Sequence, residues 1–225
     1  MKKIAVFLLL NLLAPSCLEK REKVKNFSDI EEMFQLKKYQ NKKSKIINDS
    51  ITHFIAERED FILTGDFNTK LNTKTGIWSL KNIKDFQEVQ IDYLALGKND
   101  VFKNQIIFKA PNQKIDTAKS KFYLIENKTR KGLLYSFFSP EMKNEISKEA
   151  KVIYTIYRNR KEIKIDSVVY KNVKEGKYFA DVKYDFKKGD HISGYFSEIV
   201  TARDPRIKDS LLLGNNSIYF IEKFE

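Results

Sequence analysis

Tyr178-Phe179-Ala180-Asp181-Val182-Lys183-Tyr184-Asp185-Phe186-Lys187 places Tyr178, Ala180, Val182, Tyr184 and Phe186 at every second position. Asp181, Lys183, Asp185 and Lys187 fill the gaps. A period of two predicts a strand with one buried face. Lys187-Lys188-Gly189-Asp190 comes next and reads as a hairpin turn, with Gly189 suited to a left-handed conformation. The return strand sets Ile192, Gly194, Phe196, Val200 and Ala202 on one face, with Glu198 as the single exception.

The same reading extends in both directions. Val152 to Tyr157 and Ile163 to Tyr170 pair across Arg158-Asn159-Arg160-Lys161, and Ser217 to Phe224 closes the chain. With Phe122 to Glu126 and Leu133 to Phe138 this makes about seven strands, a density that predicts an immunoglobulin-like β-sandwich over residues 119–225. Asn144 to Lys148 is expected as a short helical turn.

Upstream, Phe61 to Phe67, Gly76 to Leu80, Phe86 to Leu96, Phe102 to Phe108 and Ile115 to Ile125 read as strands with short polar gaps. Such gaps are too short for parallel crossovers, so an antiparallel meander is expected. Ahead of it, Ser28-Asp29-Ile30-Glu31 is a capping box that opens a helix with Ile30, Met33 and Phe34 on one stripe. Ile47, Ile51, Phe54 and Ile55 form a second helical stripe. The fold class expected is mainly β (α+β), with the helical segment and meander over 28–118. The boundary between halves is expected near Asp116–Lys121. The Gly76-x-Trp78 turn and strand, with the short hairpins after it, resembles MORN-type repeats over residues 61–125. That resemblance implies an antitoxin-like or immunity lipoprotein.

The N-terminus carries its own information. Lys2 and Lys3 precede the apolar run Ile4 to Ala14, interrupted only by Asn11. As a helix this run spans about 16 Å, against about 30 Å of bilayer hydrocarbon, so it reads as a signal peptide over 1–16. Leu13-Ala14-Pro15-Ser16-Cys17 resembles the lipobox of bacterial lipoproteins, in which the peptide is cut before Cys and the thiol is acylated. Cys17 is the only cysteine of the chain, so no internal disulfide exists. The charged residues after it make 17–27 a lipidated tether. An exported outer-membrane lipoprotein of Bacteroidetes type is expected, with the membrane as one partner.

The chemistry-bearing residues are sparse. The chain has 225 residues with 2 His and 8 Gly, and holds no G-x-S-x-G, P-loop or G-x-G-x-x-G motif. His53 and Glu57 share a face of the second helical stripe but lack a third ligand. Asp66-x-Asn68-x-Lys70 begins like a calcium loop and fails where Lys70 takes a ligand position. No catalytic residue, metal or cofactor is expected.

The formal charge of +12 raises nucleic acid as a partner. Only seven of the 42 basic residues are Arg, and they mix with acids along the whole chain. A solvated lysine-rich surface accounts for this better, and no nucleic acid is expected. Arg158, Arg160 and Lys161 at one hairpin tip, and Arg203, Asp204 and Arg206 in the loop before the last strand, are the candidate contacts for an envelope protein or polysaccharide. Asp49-Ser50-Ile51, Asp116-Thr117-Ala118, Asp166-Ser167-Val168 and Asp209-Ser210-Leu211 resemble the O-glycosylation acceptor of Bacteroidetes exported proteins. That resemblance implies Ser50, Thr117, Ser167 and Ser210 as sites. The function expected is a non-catalytic binding or interaction module. The alternatives are the immunity lipoprotein and an envelope hydrolase built around His53 or His191.

Overall fold

The computed structural model describes residues 27–171, 176–207 and 209–225, with side chains from residue 30 onward. The signal peptide, Cys17, residues 18–26 of the expected tether and the Ser28 side chain of the capping box lie outside the described residues, and residue 27, expected as the tether's last, opens the first helix. A short helix, α1 (Phe27–Met33), and a 3-10 turn (Leu36–Lys38) lead into thirteen strands. The fold is mainly β, and every strand pairing is antiparallel.

The first six strands are β1 (Asn41–Asn48), β2 (Ile51–Arg58), β3 (Phe61–Asn68), β4 (Thr73–Asn82), β5 (Glu88–Gly97) and β6 (Asp100–Lys109). They form one sheet in sequence order, the expected meander. One face is packed: Ile30, Phe34 and Tyr39 lie over Ala56, Leu63, Trp78, Leu80, Ile91, Tyr93 and Ile106. Gly65 makes room for this layer, because a Cβ there would collide with the Trp78 indole. Lys74 is drawn under the helix end, where its Nζ donates to the Phe34 carbonyl at 2.5 Å and lies 4.9 Å from the ring centres of both Trp78 and Tyr93. Burial lowers its pKa to about 8.

The remaining strands are β7 (Phe122–Thr129), β8 (Gly132–Phe138), β9 (Glu145–Arg158), β10 (Lys161–Lys171), β11 (Lys177–Lys183), β12 (His191–Arg203) and β13 (Leu211–Lys223). They make a three-stranded sheet, β11-β8-β7, and a four-stranded sheet, β10-β9-β12-β13. Both sheets contribute to one core: Leu133, Tyr135, Phe137, Tyr178, Ala180 and Val182 from the first, Val152, Ile156, Ile192, Phe196, Ile218 and Phe220 from the second. Burial of such aromatic side chains is the main favourable term of the fold.

Four expectations need correction. Residues 47–55 are not helical: they belong to the β1–β2 hairpin. The Asn48 side chain accepts from the backbone N–H groups of Ser50 and Ile51 at 2.9 and 3.0 Å, which turns the chain where a helix would continue. Asn144 to Lys148 is not a helical turn, since β9 begins at Glu145. Ile115 to Ile125 is not one strand: Ile115 makes an isolated bridge to Lys109, and β7 starts at Phe122.

The fourth concerns Lys187 to Asp190. β11 pairs with β8 and β12 pairs with β9 and β13, so this turn carries the chain from one sheet to the other and is no hairpin. Asp190 pins the crossing. It is buried, takes two hydrogen bonds at 2.7 Å from Arg158 at the end of β9, and accepts from the Lys187 N–H at 2.8 Å. The Arg158 guanidinium holds the Asp190 carboxyl below the usual carboxylate range. Between the folded and unfolded pKa values the unfolded chain binds the extra proton, so this contribution is full above about pH 4 and fades as pH falls through the folded value. Asp190→Asn is expected to flatten that acid limb, read as the urea midpoint between about pH 2 and pH 5.

Candidate functional site

A groove of about 560 Å³ opens where the meander meets the four-stranded sheet. Asp92, Leu94 and Gln105 of β5 and β6 line one wall, and Ile153, Tyr195, Tyr219 and Ile221 line the other. The second wall is the outward face of β9, β12 and β13, where the alternation that buries Val152, Phe196 and Phe220 turns every second residue outward. Tyr195 and Tyr219 lie with ring centres 4.9 Å apart, and Phe102 meets Tyr219 edge-on at 5.1 Å.

The junction is fastened by two side chains that act as backbone. Buried Asn104 accepts from the Tyr219 N–H at 2.7 Å and donates to the Tyr219 carbonyl at 3.0 Å, so its amide pairs with the free edge of β13 as a neighbouring strand would. The same amide donates to Asp92 at 3.0 Å. Lys121 donates to the carbonyls of Lys103 and Ser217 at 2.8 and 2.9 Å, and burial pushes its pKa down to about 8. A main-chain bridge, Ile106 to Lys121, runs beside them. The expected boundary near Asp116–Lys121 therefore falls on residues that tie the meander to the C-terminal strands.

The residues singled out in the sequence divide sharply. Arg158 is committed to Asp190, and its Nη2 also reaches the Tyr184 hydroxyl at 3.1 Å. Asp204 is buried and held by Arg206 through both carboxylate oxygens at 3.0 Å. Arg158 and Asp204 serve the fold, whereas Arg160, Lys161 and Arg203 are exposed, as is the Arg206 side chain. Of the acceptor candidates, Thr117 is exposed in a turn, Ser50 and Ser210 are half-buried beside turns, and Ser167 is exposed on β10, the edge strand of its sheet. Strand position therefore does not hide Ser167.

His53 and His191 do not converge. His53 lies on the open face of the meander with Nδ1 2.6 Å from Asp66, in β2 and not on a helix. His191 stacks on Tyr157 at 4.8 Å. Among the described residues no three His, Cys, Asp or Glu side chains gather as metal ligands, and no helix is long and apolar enough to cross a membrane.

Glu198, the exception in the alternation, is fully buried. It accepts from Tyr178 at 2.5 Å, from Asn216 at 2.7 Å and from Ser139. Lys148, also buried, lies 3.7 Å from it and 2.9 Å from Glu145. The acid on an apolar face was visible in the sequence. Its partners were not, because they come from four other segments. The groove was missed for the same reason: its walls are about 50 to 130 residues apart in the chain, a span that local periodicity does not reach.

The chain matches no protein-family model, and comparisons with the curated proteins and with the solved structures return no match.

Proposed function

We propose that this protein is an exported, lipid-anchored binding module of the bacterial envelope, of Bacteroidetes type, without catalytic activity. Its C-terminal half is read as an immunoglobulin-like sandwich. The strand order β11-β8-β7 against β10-β9-β12-β13 is consistent with that family of topologies.

The observation that carries the binding reading is the groove at the junction. It combines an apolar, tyrosine-bearing wall with the polar groups of Asp92 and Gln105 opposite, the mixture that small-ligand sites use. Aromatic faces beside a carboxylate and an amide suit the apolar faces and hydroxyl edges of a saccharide, so an envelope polysaccharide is the ligand proposed. Arg160, Lys161, Arg203 and Arg206 remain as outlying contacts, and Thr117, Ser167 and Ser210 as acceptor sites.

Two measurements test this reading. Cys17→Ser is expected to abolish palmitate labelling of the exported protein and its retention in membranes washed with high salt; unchanged labelling would refute the anchor. Titration with oligosaccharides released from envelope polysaccharide should perturb Tyr195 and Tyr219, and Tyr195→Ala should weaken binding roughly tenfold, the scale of one lost aromatic contact. Saccharide binding that ignores Tyr195→Ala would place the ligand elsewhere.

A further inference from the structure

The β1–β2, β3–β4 and β5–β6 turns lie at one end of the meander, because each strand runs antiparallel to the next. They are tied together: the Thr69 N–H donates to the Ser50 carbonyl and the Asn99 N–H to the Leu71 carbonyl, both at 2.8 Å. The Asn72 amide donates to Asn99 at 2.7 Å. The three tips therefore form one surface.

That surface is built in an unusual way. In β1 the register shifts between Ile46 and Asn48, and in β5 it shifts between Ala95 and Gly97. Each shift stands just before its turn and leaves an aliphatic residue, Ile47 and Leu96, without a partner across the ladder. Ile46 is 77% exposed, Leu96 61% and Ile47 55%. Exposed lysines stand at the same end: Lys45 on the edge strand β1, Lys70 on the middle turn and Lys98 on the third, with Asp49 and Asp100 as the acids at the tips. Aliphatic side chains held out among lysines match a bilayer with anionic headgroups, which takes the first into its acyl boundary and attracts the second.

We infer that this end of the meander docks on an anionic bilayer surface. The position of the chain start agrees. Glu31 of α1 ion-pairs with Lys103, three residues from the start of β6 at the same end, so the described chain begins beside the tips. Cys17 and Phe27 are ten residue steps apart, at most about 35 Å when extended, so an acylated Cys17 would hold the tips within reach of the membrane. In that respect alone the inference rests on the anchored reading. The contact fixes orientation: the tips face the lipid while the β2–β3 and β4–β5 turns point away.

The test uses the protein from Leu18 onward, which retains every described residue and lacks the acylated cysteine. It is expected to co-sediment with vesicles of phosphatidylethanolamine and phosphatidylglycerol, and not with phosphatidylcholine alone. Salt near 1 M, where screening acts within about 3 Å, should release it. Ile46→Ser with Ile47→Ser should lower partitioning about tenfold, and Leu96→Ser several-fold, with Trp78 emission unchanged as a control for folding. Equal partition into both vesicle types, or binding that ignores all three substitutions, overturns the inference. So does a glycan on Ser50 in the exported protein, or lipid-free capture of a protein by the same tips. The anchor fails separately, through palmitate labelling.

Discussion

Glu198→Ala is expected to destabilise the protein by about 3–5 kcal/mol, the cost of removing one member of a buried charged network. The carboxylate is the acceptor that Tyr178, Ser139 and Asn216 share, and Lys148 is buried next to it. Alanine would leave several donors without a partner in a place water does not reach. Each stranded donor costs about 1–3 kcal/mol. Glu198→Gln keeps an acceptor oxygen for Tyr178 and is expected to cost less, because the hydroxyl of Ser139 can accept from the new amide. Urea denaturation decides the matter: a lowered midpoint at constant slope for alanine, with glutamine between alanine and wild type. Equal midpoints for all three would mean the network contributes nothing net.

Gly65→Val is expected to have the second large effect, with a signature of its own. A Cβ at residue 65 would fall within the indole of Trp78, which is fully buried and donates from Nε1 to the Asp66 carbonyl at 2.8 Å. The β3 backbone is held at Gly65 by its pairing with Phe54 of β2, so valine must displace the indole. Overpacking of this kind costs about 1–3 kcal/mol, and loss of the indole hydrogen bond adds to it. Trp78 is the only tryptophan of the chain, so its displacement reads directly as a red shift and a changed intensity of emission. Unchanged emission from a folded Gly65→Val protein would show that the layer under α1 is looser than its packing indicates.

Residues with regular alternation were legible in sequence, and their exceptions were informative. Ile192, Phe196, Val200 and Ala202 are buried as the period of two requires, and Glu198 is buried with them. Where a helix was expected at Ile47 to Ile55, the reason for the failure was a turn that lacked glycine. Ile47, Ile51, Phe54 and Ile55 imitate a helical stripe only because the chain reverses between Ile47 and Ile51. Asn48-Asp49-Ser50 amid β-branched residues was the available sign. Asn68 repeats the device, accepting from the N–H groups of Lys70 and Leu71 at 3.1 and 2.9 Å. The junction groove had no local sign, because Asn104 and Tyr219 are brought together by the packing of separate sheets. The loop arginines misled for a related reason. A guanidinium in a turn looks free in sequence, and only the structure shows that Arg158 is paired with Asp190.

The order of strands also sets the order in which the chain closes. In the meander every strand pairs with its sequence neighbour, so loop closure is short and the sheet is complete once residue 109 has emerged. The four-stranded sheet behaves differently: β12 lies between β9 and β13, and its pairing with β9 spans the whole of β10 and β11. That half waits for long-range contacts and is expected to fold more slowly. The clasps between the halves are made on β13, at Ser217 and Tyr219. A chain emerging N-terminus first would thus present a finished meander to its surroundings while the groove beside it is still unformed, and the last thirteen-residue strand would both complete the final sheet and latch it to the first.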